Sequence, residues 1–331
     1  MRIAVIDDYQ GAFNTLDAAR LLGEHNVVCF SEYVSNTTQL AEKIFNFDAL
    51  ILTQQRTAFP RSLAESLPEL RLISQTGRNT SHIDIEACTE CGIVVAAAGA
   101  GQPNAAAELT WGLILSSLRH IPHEVQRLKE GLWQTTLGTG LKDKTLGIYA
   151  YGRIGSLVAN VGRTFGMNVV CWGRDRSLIK AKEDGFNVAK TREEFFANAD
   201  VVCLHLPLSD ATRGIVTLED LGCMKPTALI VNTSRASLIQ AGALERALRE
   251  GRPGHAAIDV FENEPVIDGN HPFLEMPNVI CTPHLGYVEK ETYESYFSAA
   301  AENILSFVAG KASNVINPEA FKRGSKIHVS D

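Results

Sequence analysis

Short apolar runs alternate with longer stretches of helical periodicity along the whole chain. The runs are rich in β-branched residues and nearly continuous, unlike the alternation of a strand that has one solvated face. They are RIAVI, NVVCF, DALILT, RLISQ and GIVVA in the first part of the chain, then TLGIYAY, MNVVCW, DVVCLHL, TALIVNT, HAAIDVF and NVICTPH. Strands of this kind, separated by helices, indicate parallel sheets that are covered on both faces. The pattern therefore predicts an α/β protein.

The series of strands is interrupted at Ala98–Pro103, a small-residue segment whose glycines and proline suit a hinge. An apolar helix is predicted directly after it, over NAAAELTWGLILSSLRHI. Because its apolar residues fall on more than one face, this helix is expected to be buried on two sides. The second contact is either another subunit or the core of the helix's own domain, and the pattern leaves both open. The chain, with 331 residues, is long enough for two domains.

Composition and charge narrow the function classes. The apolar share of 45% and the charged share of 21% are typical of a soluble globular protein. No run approaches the roughly 18 consecutive apolar residues of a membrane span, and the start MRIAVIDD enters a strand without an export signal. A cytoplasmic location is therefore expected. The net charge of −7 argues against a general nucleic-acid binder. The polar segment at residues 322–331 is expected to fray.

The seven cysteines give no indication of a metal site or a disulfide framework. Their number is odd, and several lie inside apolar strands, where cysteine acts as a small hydrophobic residue. Cys88 and Cys91 have metal-like spacing, but no second pair and no nearby histidines accompany them. We therefore expect reduced cysteines and no metal.

The segment GIYAYGRIGSLVANVGRTF resembles a dinucleotide-binding turn between a strand and a helix. In such a turn one glycine lets the backbone approach the pyrophosphate and a later one lets the helix pack closely on the strand. Gly152 and Gly155 match these two positions, with Arg153 and Ile154 between them. The first position of the motif, which permits the tight turn, is Ala150 instead of glycine. Because alanine tolerates a left-handed backbone poorly, we expect Ala150 to keep this role only with a negative φ.

The residues after the next strand bear on the choice of cofactor. An acidic side chain at this point would bind the ribose hydroxyls of NAD and repel the extra phosphate of NADP. The chain has Gly173 and Arg174 there, which removes the repulsion and supplies a guanidinium that can pair with a phosphate. NADP is therefore favoured. NAD remains open, because Asp175 is close enough along the chain to reach the ribose.

Several segments together resemble the NAD(P)-dependent D-2-hydroxyacid dehydrogenases, the family of glyoxylate, hydroxypyruvate and phosphoglycerate dehydrogenases. They are GLWQTTLGTGLKDKTLGIYAYGRIG, LHLPLSDATRGIV, VNTSRASLIQAGALERAL, HAAIDVFENEP and CTPHLGY. The resemblance covers nearly the whole chain and is most specific at residues 104–286. It implies a Rossmann-type doubly wound domain that binds NAD(P) at residues 100–286, and a flavodoxin-like α/β substrate domain at residues 1–99 and 287–331. It also implies a homodimer formed through the helix that begins near Asn104.

The resemblance further implies a catalytic arginine, glutamate and histidine, which fall on Arg235, Glu264 and His284. Reduction of a 2-ketoacid builds negative charge on the ketone oxygen, so a proton donor is needed, and histidine suits that role. We expect His284 to be the acid in reduction and the base in oxidation. A carboxylate at Glu264 would orient its imidazole. Arg235 would hold the carboxylate and carbonyl of the small anionic substrate while charge develops.

Further contacts follow from the same resemblance. The expected cofactor-binding residues are Gly152, Arg153, Ile154, Gly173, Arg174, Pro207, Thr212, Thr233, Asp259 and Gly286. Asp259 is expected either to face the nicotinamide amide or to cap its own loop. The expected substrate-binding residues are Gly77, Arg78, Arg235 and Tyr287, with Arg56 as a weaker candidate. Arg78 departs from the family's usual valine, so it either adds a positive contact to the substrate or is a surface residue.

Other functions are compatible with parts of this pattern. Relatives of the fold include transcriptional corepressors, so a cofactor-sensing binding protein without turnover is the main alternative. Formate dehydrogenases place a glutamine where this chain has Glu264, which disfavours that activity, and phosphite oxidation is more distant still.

Overall fold

The computed structural model describes residues 1–323, which form two compact units. The first unit contains Met1–Gln102 and the residues from Glu289 onward, and the second unit is Pro103–Val288. The segment expected to fray lies, from residue 324 onward, outside the described residues.

The first unit is built on a five-stranded parallel sheet with the order β2-β1-β3-β4-β5. Its strands are β1 (Arg2–Ile6), β2 (Asn26–Cys29), β3 (Ala49–Leu52), β4 (Leu72–Thr76) and β5 (Val94–Ala98). Every residue of β3, β4 and β5 is buried, as the continuous apolar runs predict. The order reverses between β1 and β3, so the loops that follow these two strands lie where sheets of this flavodoxin-like type bind ligands.

Helices cover both faces of this sheet. They are α1 (Asp17–Leu21), α2 (Thr37–Ile44), α3 (Arg61–Glu65), α4 (Ile85–Glu90), α12 (Lys290–Val308) and α13 (Ala320–Arg323), numbered along the whole chain. One core lies between the sheet and α2, α3 and α4. On the other face, α12 packs on the strands, and the buried hydroxyl of Ser74 donates a hydrogen bond of 2.9 Å to the Ala300 carbonyl.

The second unit contains a seven-stranded parallel sheet with the order β12-β11-β10-β9-β6-β7-β8. Its strands are β6 (Thr145–Tyr149), β7 (Asn168–Trp172), β8 (Asn187–Val188), β9 (Val201–Leu204), β10 (Leu229–Asn232), β11 (His255–Ile258) and β12 (Val279–Cys281). The order reverses between β6 and β9, as in doubly wound dinucleotide-binding sheets. Ligand contacts are therefore expected at the carboxyl ends of these strands.

The helices of the second unit form two cores, one on each face of the sheet. They are α5 (Pro103–Leu118), α6 (Ile121–Lys129), α7 (Arg153–Thr164), α8 (Asp175–Glu183), α9 (Arg192–Asn198), α10 (Leu218–Cys223) and α11 (Ala243–Arg249). The predicted apolar helix is α5, which begins at a proline, a residue favoured at the first helical position. Trp111, Leu113 and Ile114 on α5 are buried although they do not share one face.

The prediction of an α/β fold with a Rossmann-type sheet is confirmed. No helix among the described residues is both long and apolar enough to cross a membrane. All seven cysteines are free thiols. Within residues 1–323, histidine, cysteine and acidic side chains do not gather in the groups of three or more that hold a metal ion.

Candidate active site

Glu264 and His284 meet at the carboxyl ends of β11 and β12. The Nδ1 atom of His284 lies 2.6 Å from Oε2 of Glu264, and both side chains are partly buried. Glu264 also accepts a hydrogen bond of 2.8 Å from the Phe261 N–H, which holds its carboxylate in place. The structure thus brings together two of the three residues that the sequence assigns to catalysis.

The loop that carries His284 is held by Asp259. The Asp259 carboxylate, which is fully buried, accepts hydrogen bonds from the Thr282 hydroxyl at 2.6 Å, the Leu285 N–H at 2.7 Å and the Gly286 N–H at 2.9 Å. His284 itself has a left-handed backbone with φ +51°. Such a conformation persists only where the surroundings enforce it. Of the two expectations for Asp259, these contacts match the loop cap, and its contact with the nicotinamide stays a prediction.

Arg235 follows β10, the neighbouring strand, and directly precedes a short 3-10 helix (Ala236–Leu238). Its Nη1 atom donates a hydrogen bond of 2.7 Å to the Ser234 carbonyl. The buried Asn232 amide donates to the Arg235 carbonyl at 2.9 Å and accepts from the Ser234 N–H at 3.0 Å. Sequence reasoning missed this role of Asn232. The signal was the polar residue that ends the apolar strand LIVN.

Local charges keep Glu264 ionised. Burial acts to raise the pKa of Glu264, but the hydrogen bond and charge of His284 and the charge of Arg235 outweigh burial and lower it. An ionised carboxylate can only accept, so Nδ1 of His284 must carry the proton of their hydrogen bond. The other ring nitrogen, Nε2, is then the one available for proton exchange. Burial raises the pKa of Asp259, against the opposing effects of its hydrogen-bond donors and of His284.

The turn from β6 into α7 fits a dinucleotide pyrophosphate. The space in front of the Gly152 Cα is open, because a methyl group there would meet no atom within 4 Å. The first hydrogen bond of α7 runs from the Ser156 N–H to the Gly152 carbonyl, so the N–H groups of Arg153 and Ile154 lie at the helix start. Unpaired amides and the helix dipole favour an anion at this point. A methyl group on Gly155 would clash with the Ala150 carbonyl, which explains the glycine.

The expectation that Ala150 could keep the first position of the motif only with a negative φ is wrong. Its φ is +75°, in the left-handed region that glycine adopts most easily. The Ala150 N–H donates to the Trp172 carbonyl at 2.8 Å, and its carbonyl accepts from the Gly152 N–H at 3.0 Å. These bonds impose the same tight turn that a glycine would form. Alanine therefore takes the first position of the motif at the cost of backbone strain, about 1–2 kcal/mol.

We expect Ala150→Gly to stabilise the second unit. Relief of the left-handed strain exceeds the added flexibility of glycine in the unfolded chain, for a net gain of up to about 1 kcal/mol. Thermal unfolding measures the change as a higher midpoint. Ala159→Gly, in the buried interior of α7, is the matched control and should lower the midpoint. A lower midpoint for Ala150→Gly would contradict the assigned strain.

The residue directly after β7 has a backbone conformation that residues with a side chain rarely adopt. Gly173 has φ +156°, and a methyl group there would lie 3.4 Å from both the Ala150 Cα and the Ser177 Oγ. The Ser177 Oγ accepts a hydrogen bond of 2.7 Å from the Tyr151 N–H. Arg174 precedes the first residue of α8, and its side chain is exposed, as is that of Asp175. Both candidates for the ribose end of the cofactor are therefore accessible.

Three further residues assigned to the cofactor lie in strand-end loops of the second unit. The Thr212 hydroxyl is buried and donates to the Pro207 carbonyl at 2.7 Å, which closes the loop after β9. The hydroxyls of Thr233 and Thr110 lie 2.9 Å apart and join the end of β10 to α5. These contacts show Thr212 supporting its loop, and its cofactor contact stays a prediction.

In the first unit, Gly77 and Arg78 form a turn after β4. Gly77 has φ +81°, and its N–H donates to the Ala98 carbonyl at 2.7 Å. Gly77 thus shapes the turn, and its own amide is occupied. Across residues 1–323, no acceptor pairs with the N–H of Arg78 or Asn79, so two successive amides are left at the turn. Such successive amides can bind an anion.

Two other expected substrate-binding residues, Arg56 and Tyr287, have defined neighbours. The Arg56 guanidinium donates to the Asp7 carbonyl at 2.5 Å and to the Tyr293 hydroxyl at 2.8 Å, and lies 4.5 Å from the Tyr9 ring. These contacts give Arg56 a supporting role inside the first unit. In the second unit, the rings of His284 and Tyr287 pack edge to face at 5.2 Å.

The chain is similar to known proteins over most of its length. Residues 111–286 match the family model described as D-isomer specific 2-hydroxyacid dehydrogenase, NAD binding domain. The chain is 37% identical over 270 residues to a glyoxylate reductase from Aeropyrum pernix, covering 78% of this chain and 80% of the relative. It is also 37% identical to a D-3-phosphoglycerate dehydrogenase from Methanocaldococcus jannaschii, covering 91% of this chain but only 57% of that longer protein.

A solved structure is similar over nearly the whole length. The crystal structure of a candidate D-3-phosphoglycerate dehydrogenase oxidoreductase from Ralstonia solanacearum superposes with a TM-score of 0.93 at 49% identity. The match covers 97% of this chain and 98% of the other. The chain therefore belongs to the D-isomer specific 2-hydroxyacid dehydrogenase family, whose members are nicotinamide-dependent oxidoreductases that act on the CH–OH group of 2-hydroxyacids.

Proposed function

We propose that the protein reduces a small 2-ketoacid to its D-2-hydroxyacid, and catalyses the reverse oxidation, with His284 as acid and base. The observation that carries this proposal is the contact of 2.6 Å between the His284 Nδ1 and the ionised Glu264. When bound, the nicotinamide cofactor supplies or accepts the hydride. His284 gives the proton at Nε2 to the ketone oxygen in reduction, and takes it back in oxidation.

Glu264 and Arg235 prepare the site for this proton transfer. Glu264 orients the imidazole and stabilises its protonated form until the proton leaves. The Arg235 guanidinium binds the substrate carboxylate and carbonyl, and stabilises negative charge on the oxygen as it forms. This assignment is supported by the positions of Arg235, Glu264 and His284 at the ends of three neighbouring strands, β10, β11 and β12.

The turn after β4 is proposed as a binding site for a carboxylate of the substrate. The backbone N–H groups of Arg78 and Asn79 are the proposed donors, and the left-handed backbone of Gly77 orients them. The exposed Arg78 side chain adds positive charge that favours an anionic substrate. Tyr287, packed against His284, shapes the part of the site that receives the substrate side chain.

NADP is the proposed cofactor, with NAD as the alternative. The proposal is supported by the exposed Arg174 and by the Gly173 backbone, which no acidic side chain would adopt easily. We expect Arg174→Ala to raise the KM for NADPH by about 10-fold or more, the effect of one charge-assisted hydrogen bond to phosphate. The KM for NADH should stay unchanged. Steady-state kinetics with both cofactors measures this, and an equal effect on both would contradict the role of Arg174.

A cytoplasmic homodimer is the proposed state of the protein. Apolar side chains on α6 and in the segment after it support the dimer, because Trp133 is 76% exposed and Leu137 is 94% exposed. Ile121, Val125 and Leu128 on α6 are exposed as well. Sedimentation equilibrium should give twice the chain mass of 36.1 kDa. A monomer at micromolar concentration would contradict the proposal.

The function is tested by following the absorbance of reduced nicotinamide with purified protein. NADPH or NADH is offered in turn with glyoxylate, hydroxypyruvate, pyruvate and bulkier 2-ketoacids. The proposal predicts oxidation of the cofactor that depends on at least one ketoacid and that is faster with NADPH. Cofactor binding without turnover of any ketoacid would instead favour a cofactor-sensing binding protein.

A further inference from the structure

Gln54, in the loop after β3, has an unusual backbone conformation. Its φ is +53°, a left-handed value that is uncommon for a residue with a long side chain. Strain of this kind persists only where neighbouring groups enforce it, and it is concentrated at functional positions. The groups that enforce it here belong to Gln75 and Thr76, the two residues directly before the Gly77 turn.

Every polar group of the Gln54 backbone is tied to the end of β4. The Gln54 N–H donates to the Thr76 Oγ1 at 2.8 Å, and the Gln54 carbonyl accepts from the Gln75 Nε2 at 2.8 Å. The Gln54 Nε2 donates to the Thr76 carbonyl at 2.9 Å. Because a carbonyl can only accept, the nitrogen of the Gln54 amide must face Thr76, which settles the orientation of this side chain.

These contacts fix the peptide group that joins Thr76 to Gly77. Its carbonyl accepts from both Gln54 and Gln75, at 2.9 Å and 2.8 Å. Its N–H donates to the Ala98 carbonyl at 2.7 Å on the opposite side. A methyl group on Gly77 would lie 3.1 Å from the Gln54 Nε2, so the turn passes directly against the Gln54 amide. The plane of this peptide and the backbone conformation of Gly77 together orient the N–H groups that follow, those of Arg78 and Asn79.

We propose that Gln54 is a positioning residue for the substrate-carboxylate turn. The proposal rests on the proposed function, which assigns the Arg78 and Asn79 amides to the carboxylate of a 2-ketoacid. Gln54 acts through the Thr76 carbonyl and needs no contact with the substrate. The Thr76–Gly77 peptide has three hydrogen-bond partners, Gln54, Gln75 and Ala98. Only Gln54 among these three lies in the loop after β3, so its side chain connects that loop to the turn after β4.

The test compares Gln54→Gly with Gln55→Ala. Glycine accepts the left-handed backbone but removes the amide, and Gln55 is the neighbouring glutamine in the same loop. We expect Gln54→Gly to raise the KM for the 2-ketoacid by about 10-fold, the effect of one lost hydrogen bond. The kcat and the KM for the reduced cofactor should change little, and Gln55→Ala should match the wild type in all three. Equal effects of the two variants, or an equal loss of cofactor affinity, would overturn the proposal.

Hydrogen exchange separates this proposal from the proposed function. If the wild type reduces no 2-ketoacid, the proposed function fails, but the turn can still be examined by exchange of a peptide that contains Gly77. Positioning by Gln54 predicts faster exchange of the Gly77 amide in Gln54→Gly than in the wild type and in Gln55→Ala. The same exchange rate in all three proteins would overturn the positioning role.

Discussion

His284→Ala is expected to lower the kcat of ketoacid reduction by about 10²- to 10⁴-fold, the usual contribution of a general acid. The variant keeps Glu264, Arg235 and the cofactor turn, so binding of the reduced cofactor should be unchanged.

Steady-state kinetics and cofactor fluorescence together measure this effect. His25→Ala, which changes a histidine in the first unit, is the control and should match the wild type. A His284→Ala variant with near wild-type kcat, or one that no longer binds the reduced cofactor, would contradict the acid and base role. The second outcome would make His284 a binding residue instead.

Arg235→Gln is expected to have a comparable effect on kcat/KM. Loss of a charge-assisted contact to the substrate removes about 2–5 kcal/mol of transition-state stabilisation, or about 30- to 5,000-fold in kcat/KM. Arg235→Lys keeps the charge but not the planar fork, so it should recover only part of the loss. The loss should appear in both kcat and KM, because the guanidinium contacts the carboxylate before reaction and the forming oxyanion during it.

The control for Arg235 is Arg249→Gln. Arg249 forms an exposed pair with Glu245 on α11, and such pairs contribute little to stability or activity. It should therefore match the wild type in kinetics and in thermal unfolding. If Arg235→Gln changed the unfolding midpoint but not the kinetics, Arg235 would be a structural residue that holds its loop through Ser234.

Much of the fold follows from local sequence. Uninterrupted apolar strands separated by helices predict parallel sheets, and the two sheets have that form. The Glu264–His284 contact was anticipated from family motifs at three strand ends, because the carboxyl ends of parallel strands meet at one edge. The segment Ala98–Pro103 also contains the boundary between the two units, at Gln102 and Pro103.

Other features depend on tertiary contacts that cannot be predicted from the sequence alone. The left-handed Ala150 is imposed by hydrogen bonds to Trp172 and Gly152, whereas propensity alone favours a negative φ. The role of Asp259 in holding the His284 loop depends on donors more than twenty residues away. Gln54 donates a hydrogen bond to the Thr76 carbonyl across the pair of strands β3 and β4, and no local motif marks this contact. In each case tertiary hydrogen bonds determine the conformation or contact. They join residues whose spacing in the sequence has no periodic pattern.

The most direct test of the central claim is transfer of deuterium from the cofactor to the product. NADPH labelled at C4 of the nicotinamide ring, in each of its two stereochemical forms, is incubated with the protein and its best 2-ketoacid. One form is expected to deliver deuterium to C2 of the D-2-hydroxyacid, in equal amount to the oxidised cofactor, and His284→Ala is expected to reduce the rate. A cofactor that binds but transfers no deuterium to any ketoacid would contradict the proposed hydride transfer.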